Sequence, residues 1–181
     1  MQTIIAILRG INVGKNQLKM ADLKALYESL KCREVVTYIQ SGNVVCKCPA
    51  SLAPAQLSKK VEHQINKQYG IVAPVITLNI NEMAAVVAAN PFVSQPGINA
   101  EKLHVAFFAE TPAQENINNA MQYDYPPDKF IMAGKHVYLY CPGGYGITKF
   151  SNTFFENKLK VTATTRNWRT VNILLQMAQQ S

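Results

Sequence analysis

The chain has 181 residues, 48% hydrophobic and 16% charged, with 18 Lys and Arg against 11 Asp and Glu, a net charge of +7 and a pI near 9.3. That length builds one domain or two small ones, and the composition excludes a disordered, collagenous or disulfide-dense chain. No run approaches the roughly 20 apolar residues of a membrane helix, and Met1-Gln2-Thr3 lacks a basic region ahead of a signal core, so a cytoplasmic protein with no membrane partner is expected.

Thr3 to Leu8 is continuously apolar and β-branched, which predicts a central strand covered on both faces. A turn rich in Gly and Asn follows, Arg9 to Asn16. Met20, Leu23, Leu26, Tyr27 and Leu30 recur at helical spacing. Tyr38 to Pro49 reads as strand, Gly-containing turn and strand. Pro54 opens a second helix with Leu57, Val61, Ile65 and Tyr69 on one face, stopped by Gly70. Val72 to Leu78 is a fourth strand that Pro74 assigns to a sheet edge. Asn81 is expected to cap a helix to about Ala89. The order is βαββαβ plus a helix, and in a ferredoxin-like arrangement the fourth strand is indeed an edge.

Asn90-Pro91 through Ala100 reads as a linker, which divides the chain into residues 1–90, a linker at 91–100, and residues 101–181. The pattern then starts again. Leu103 to Ala109 is a strand, and Thr111-Pro112-Ala113-Gln114 reads as a capping box. Tyr123 to Asp128 is a loop, followed by a hairpin and the flexible Gly143-Gly144-Tyr145-Gly146. Ser151 caps a helix with Phe154, Phe155 and Leu159, Val161 to Thr164 is a strand, and a last helix starts near Asn167. The second hairpin, Phe130 to Pro142, repeats the first: aromatic, Ile, long side chain, small residue, Gly, then an apolar strand ending Cys-Pro. It carries one extra turn residue, read as His136. Half against half, this predicts an α+β chain of tandem duplicated βαββαβ units, each with a trailing helix.

Cys32, Cys46, Cys48 and Cys141 show no Cys-x-x-Cys spacing, and Cys46 and Cys48 share one face of a strand, where a bridge between them would be strained. Four reduced thiols are expected. His63, His104 and His136 have no Cys, Asp or Glu at ligand spacing, so neither a metal nor a cofactor is expected.

Three phrases carry a family resemblance: Arg9-Gly10-Ile11-Asn12-Val13-Gly14, Thr37 to Val44, and Ala163-Thr164-Thr165-Arg166-Asn167-Trp168-Arg169-Thr170. Together the chain resembles the bacterial family catalogued as domain of unknown function sixteen-ninety-seven. The resemblance implies two ferredoxin-like halves and implies no activity. Lys15 departs from it, where that family often has a second Gly after Gly14.

Gly10 to Asn16 is not a P-loop, because only three residues separate the glycines and Asn16 replaces the Mg²⁺-binding hydroxyl. A backbone anion nest flanked by Arg9 and Lys15 remains compatible. Thr165 to Arg169 lies at a helix start, where N–H groups favour an anion, Arg166 adds bidentate donors and Trp168 a stacking face. Lys149 stands in a second Gly-rich loop before a helix. No carboxylate falls within the three phrases, so paired-carboxylate and two-metal hydrolysis lack their residues. Ser41 beside Gly42 lacks the nucleophile-elbow pattern.

The expected function is binding of an anionic ligand, a nucleotide, nucleic acid or other phosphorylated molecule. Arg9 and Arg166 would clamp it, Asn12, Gln40, Ser41 and Asn43 would orient it, Lys15 and Lys149 would add charge, and Asn167 and Trp168 would line the helix start. The alternatives are an enzyme on a small anionic substrate in a cleft between the halves, and a ligand-free scaffold or homodimer. Whether Arg9 and Arg166 meet is not legible in the residues.

Overall fold

The computed structural model describes all residues, Met1–Ser181. It is a mixed α+β protein with two four-stranded antiparallel sheets and six helices. In chain order these are β1 (Gln2–Leu8), α1 (Met20–Ser29), β2 (Arg33–Tyr38), β3 (Asn43–Cys48), α2 (Pro54–Tyr69), β4 (Val75–Asn79) and α3 (Ile80–Ala88). There follow β5 (Leu103–Phe108), α4 (Gln114–Ala120), β6 (Lys129–Ala133), β7 (His136–Tyr140), α5 (Asn152–Leu159), β8 (Ala163–Asn167) and α6 (Trp168–Gln179). The first sheet runs β2-β3-β1-β4 and the second β6-β7-β5-β8. The two hairpins with similar sequences take the same place in their sheets.

β1 is central, pairing β3 and β4, and Ile4 through Leu8 are all fully buried, which is why its sequence is apolar without alternation. Pro74 immediately precedes β4, an edge strand, where a missing N–H costs no ladder bond. Gly70 ends α2 with φ 65°. Ile4, Ala6, Leu8, Val44, Leu57, Val61 and Ile65 pack in one core. A separate core joins Ala106, Phe108, Val137 and Leu139 to the rings of Phe150 and Phe155.

The chain forms two compact units, Met1–Ala85 with Ile173–Ser181, and Val86–Asn172. The Pro- and Gly-rich segment 91–100 is thus part of the second unit. Phe92 is buried there, its N–H bonded to the Asn90 side chain. Tyr138, also buried, donates from its hydroxyl to the Val86 carbonyl at 2.8 Å.

Several local expectations are corrected. α3 is capped by Asn79, not Asn81: Asn79 Oδ1 accepts from Glu82 N at 2.9 Å and Glu82 Oε2 from Asn79 N at 2.8 Å, a reciprocal box. Thr111 caps nothing, because α4 begins at Gln114 with Ala113 as its cap residue. The second hairpin turns through Gly134-Lys135, and His136 is already the first residue of β7, opposite Phe107. The thiols are not all free. Cys32 and Cys48 form a disulfide with Cα atoms 4.4 Å apart, while Cys46 and Cys141 are buried free cysteines. The reason is register: Arg33 pairs with Lys47, so the residue before β2 falls opposite Cys48, a close cross-strand pair invisible to sequence spacing.

Candidate functional site

β1 ends at Leu8, and the chain leaves the sheet through a loop whose backbone is left-handed at Gly10, Asn12 and Gly14. Asn12 fastens this loop. Its Nδ2 donates to the Leu18 carbonyl at 2.9 Å and to the Gln40 carbonyl at 2.8 Å, and its Oδ1 accepts from Leu18 N at 2.8 Å. Leu8 N also donates to the Gly42 carbonyl, and Arg9 N to that of Pro74. The Arg9–Lys15 loop and the Gln40–Asn43 turn therefore share one end of the first sheet, as antiparallel neighbours β1 and β3 require. Arg9 is half-buried; Lys15 and Gln40 are exposed.

The amides of Asn12 and Asn43 serve the scaffold. Asn43 is fully buried, and its Nδ2 donates to the Tyr38 carbonyl and to Ser41 Oγ, both at 3.0 Å. Of the expected orienting groups, Gln40 alone presents an exposed side chain in this turn.

Lys149, Arg166, Asn167 and Trp168 belong to the second unit. Arg166 lies on β8, one residue before the place expected for the helix start, and its Nη1 donates to the Thr165 carbonyl at 2.9 Å. Burial pulls its guanidinium down to about 10, opposed by the nearby Tyr145 phenol, so it stays cationic at neutral pH. Around it the Tyr145 hydroxyl donates to Thr165 Oγ1 at 3.0 Å, Thr165 donates to Asn152 Oδ1 at 2.7 Å, and the Tyr145 ring stacks on His104. Asn167 is a cap, accepting from Thr170 N at 2.8 Å. Trp168 is half-buried in the first turn of α6.

Two cavities, of about 540 and 410 Å³, lie in the second unit around the Tyr123–Asp128 segment. The larger is lined by Phe92, Met121, Tyr123, Phe130, Met132 and Phe150, with Asp124 and Asp128 at both cavities. Lys149, whose Nζ stands 4.7 Å from the Tyr125 ring centre, lines the smaller. Sequence reading placed only Lys149 here, since the walls come from separate segments. The run of aromatics at Tyr123, Tyr125 and Phe130 was the available signal. Asp128 accepts from Thr148 Oγ1 at 2.6 Å.

Fold and loop geometry define a two-sheet α+β protein with a cationic loop latched to a hairpin turn. The sequence matches the family model described as Protein of unknown function (DUF1697) over residues 1–138, and the chain belongs to that family. No curated protein matches it. Among solved structures it is similar to the conserved bacterial protein SP0830 from Streptococcus pneumoniae, at 22% identity and a TM-score of 0.74, covering 99% of each chain. At that identity the likeness speaks for a shared fold.

Proposed function

We propose that this protein binds an anionic, phosphate-bearing partner, a nucleotide or nucleic acid, through the Arg9–Lys15 loop. The observation that carries the reading is the Asn12 latch, which ties the loop bearing Arg9 and Lys15 to the turn bearing Gln40. Charge supports it: the first unit has ten Lys and Arg against five carboxylates, the second eight against six. We also read the two units as duplicated ferredoxin-like halves of a cytoplasmic protein, on the strength of their common strand order and repeated hairpin. The test is titration with a short oligonucleotide and with inorganic polyphosphate over a salt series. A phosphate-tracking site loses affinity linearly in log–log form. Arg9→Ala and Lys15→Ala should each weaken binding about five- to tenfold, and Lys60→Ala on α2 should not. Salt-independent binding, or equal loss in all three variants, refutes it.

A second reading rests on the cavities of the second unit. Their aromatic walls beside Asp124 and Asp128 suit a small neutral or cationic organic ligand better than an anion. Binding that survives Arg9→Ala and fails in Phe130→Ala would favour it.

A further inference from the structure

Cys32 lies opposite Cys48 across the β2–β3 pair, and Cys46 sits two residues before Cys48 on β3. All three side chains join the core on the helix-covered face of the first sheet. Their sulfurs lie within 4.8 Å of one another, with 3.4 Å between Cys46 and Cys48. The residues are 3%, 0% and 0% exposed. A disulfide uses two of these sulfurs, and Cys46 is left over in contact with it. Tyr27 of α1 adds an independent observation. It is fully buried, its hydroxyl meets no hydrogen-bond partner, and it lies close enough to interact electrostatically with Cys46. Three converging sulfurs, with an unanswered buried hydroxyl near one of them, are more polar chemistry than apolar packing asks for.

We propose that, once a dithiol reductant opens the Cys32–Cys48 bridge, Cys32, Cys46 and Cys48 form a three-sulfur site for a trivalent thiophilic element supplied as its neutral trihydroxide. Reduction breaks the S–S bond, yields two protein thiols and oxidises the reductant's two thiols to a disulfide. Condensation then breaks three S–H bonds and three element–hydroxyl bonds, forms three element–sulfur bonds and releases three waters, with no electron transferred.

Charge selects the ligand. Three thiolates around a trivalent centre are neutral, around Zn²⁺ they leave −1, and around Cu⁺ they leave −2. A net charge in this fully buried, apolar lining is costly. Structural zinc also asks for a fourth sulfur or nitrogen, and His63 on neighbouring α2 is exposed. Size agrees. A pyramidal centre about 2.3 Å from each sulfur holds them about 3.5 Å apart, close to the 3.4 Å of Cys46 and Cys48 and inside the 4.8 Å limit of the cluster.

The probe is arsenous acid. Full-length protein is reduced with a phosphine, which becomes its oxide by taking oxygen from water and does not compete for arsenic. It is then mixed with the probe, desalted and assayed for metal content and melting temperature. Reduced wild-type protein should keep one arsenic per chain, show three sulfur neighbours by X-ray absorption, and melt higher than without arsenic. The oxidised protein and reduced Cys46→Ala should each retain at least about tenfold less, while Cys141→Ala, in the second unit, should match wild type. Retention equal in oxidised and reduced wild type, fewer than three sulfur neighbours, full retention by Cys46→Ala, or retention of copper(I) in place of arsenic overturns the proposal. The wild-type comparison and the absorption spectrum stand even if Cys46→Ala does not fold.

Discussion

At Gly42 a single added carbon has no place to go. A Cβ there would stand 2.5 Å from Ile11 Cδ1 and 2.9 Å from Leu8 Cβ, on a backbone with φ of +80°. Gly134, the corresponding glycine of the second hairpin, has φ +62° and open space around it. Gly134→Ala should therefore cost only the left-handed backbone term, about 1–2 kcal/mol, and Gly42→Ala a further 1–3 kcal/mol or so for overpacking. Urea unfolding of both variants checks the order; equal losses would mean that the loop simply moves aside. His136 gives a pH dependence. Its Nε2 is buried without a partner, and burial lowers its pKa from the ordinary 6.5 to about 4. Above pH 6.5 the ring is neutral folded and unfolded. As pH falls from 6.5 to 4, the unfolded chain takes the proton first and stability drops; below about 4 both states are protonated and the loss stops. Because the ring is partly exposed, the effect is discounted to about 1 kcal/mol. His136→Gln should flatten the melting temperature across that window, and an unchanged slope would show that other groups set it.

At the scale of elements, caps and stops were legible wherever the signal is local. Gly70 ends α2, Ser151 Oγ caps α5 by accepting from Phe154 N, and Asn167 caps α6. Asn79 and Asn81 are both good caps two residues apart, and only the end of β4 decides for Asn79. Asn79→Ala should cost about 1 kcal/mol, whereas Asn81→Ala should be close to neutral; circular dichroism melts of the pair distinguish them. The Thr111-Pro112 pattern misled because Pro112 is buried ahead of α4 instead of opening it. The loop-to-turn meeting of Arg9 with Ser41–Asn43 could be argued from strand direction alone. The use of the Asn12 and Asn43 amides as scaffold ties could not, because an amide's partner is set by loop geometry, and sequence shows only that an amide is there. The Cys32–Cys48 bridge was missed for the same reason: it depends on which residue faces which across the β2–β3 pair, where the register shifts between Arg33 and Val36.

At the scale of the molecule, the two units differ in what holds them. The first carries the disulfide and most of the positive charge; the second carries one free buried thiol, Cys141, and a core dominated by aromatic rings, with Phe130 and Phe150 edge-to-face at 4.7 Å. A bridge between residues 16 apart removes loop entropy from the unfolded chain worth about 3 kcal/mol. Reduction should therefore lower protection of the β2 and β3 amides, in which the bridge is anchored, by up to about that amount. Cys32→Ala should abolish the response while leaving the variant at the reduced protein's stability. Hydrogen exchange followed by mass spectrometry, with and without a phosphine reductant, reads this segment by segment, with β6 and β7 as the reference hairpin that contains no disulfide. If the β2–β3 amides exchange at the same rate before and after complete reduction, the bridge adds nothing to the first sheet, and packing of Cys32, Cys46 and Cys48 into the core is what holds that edge.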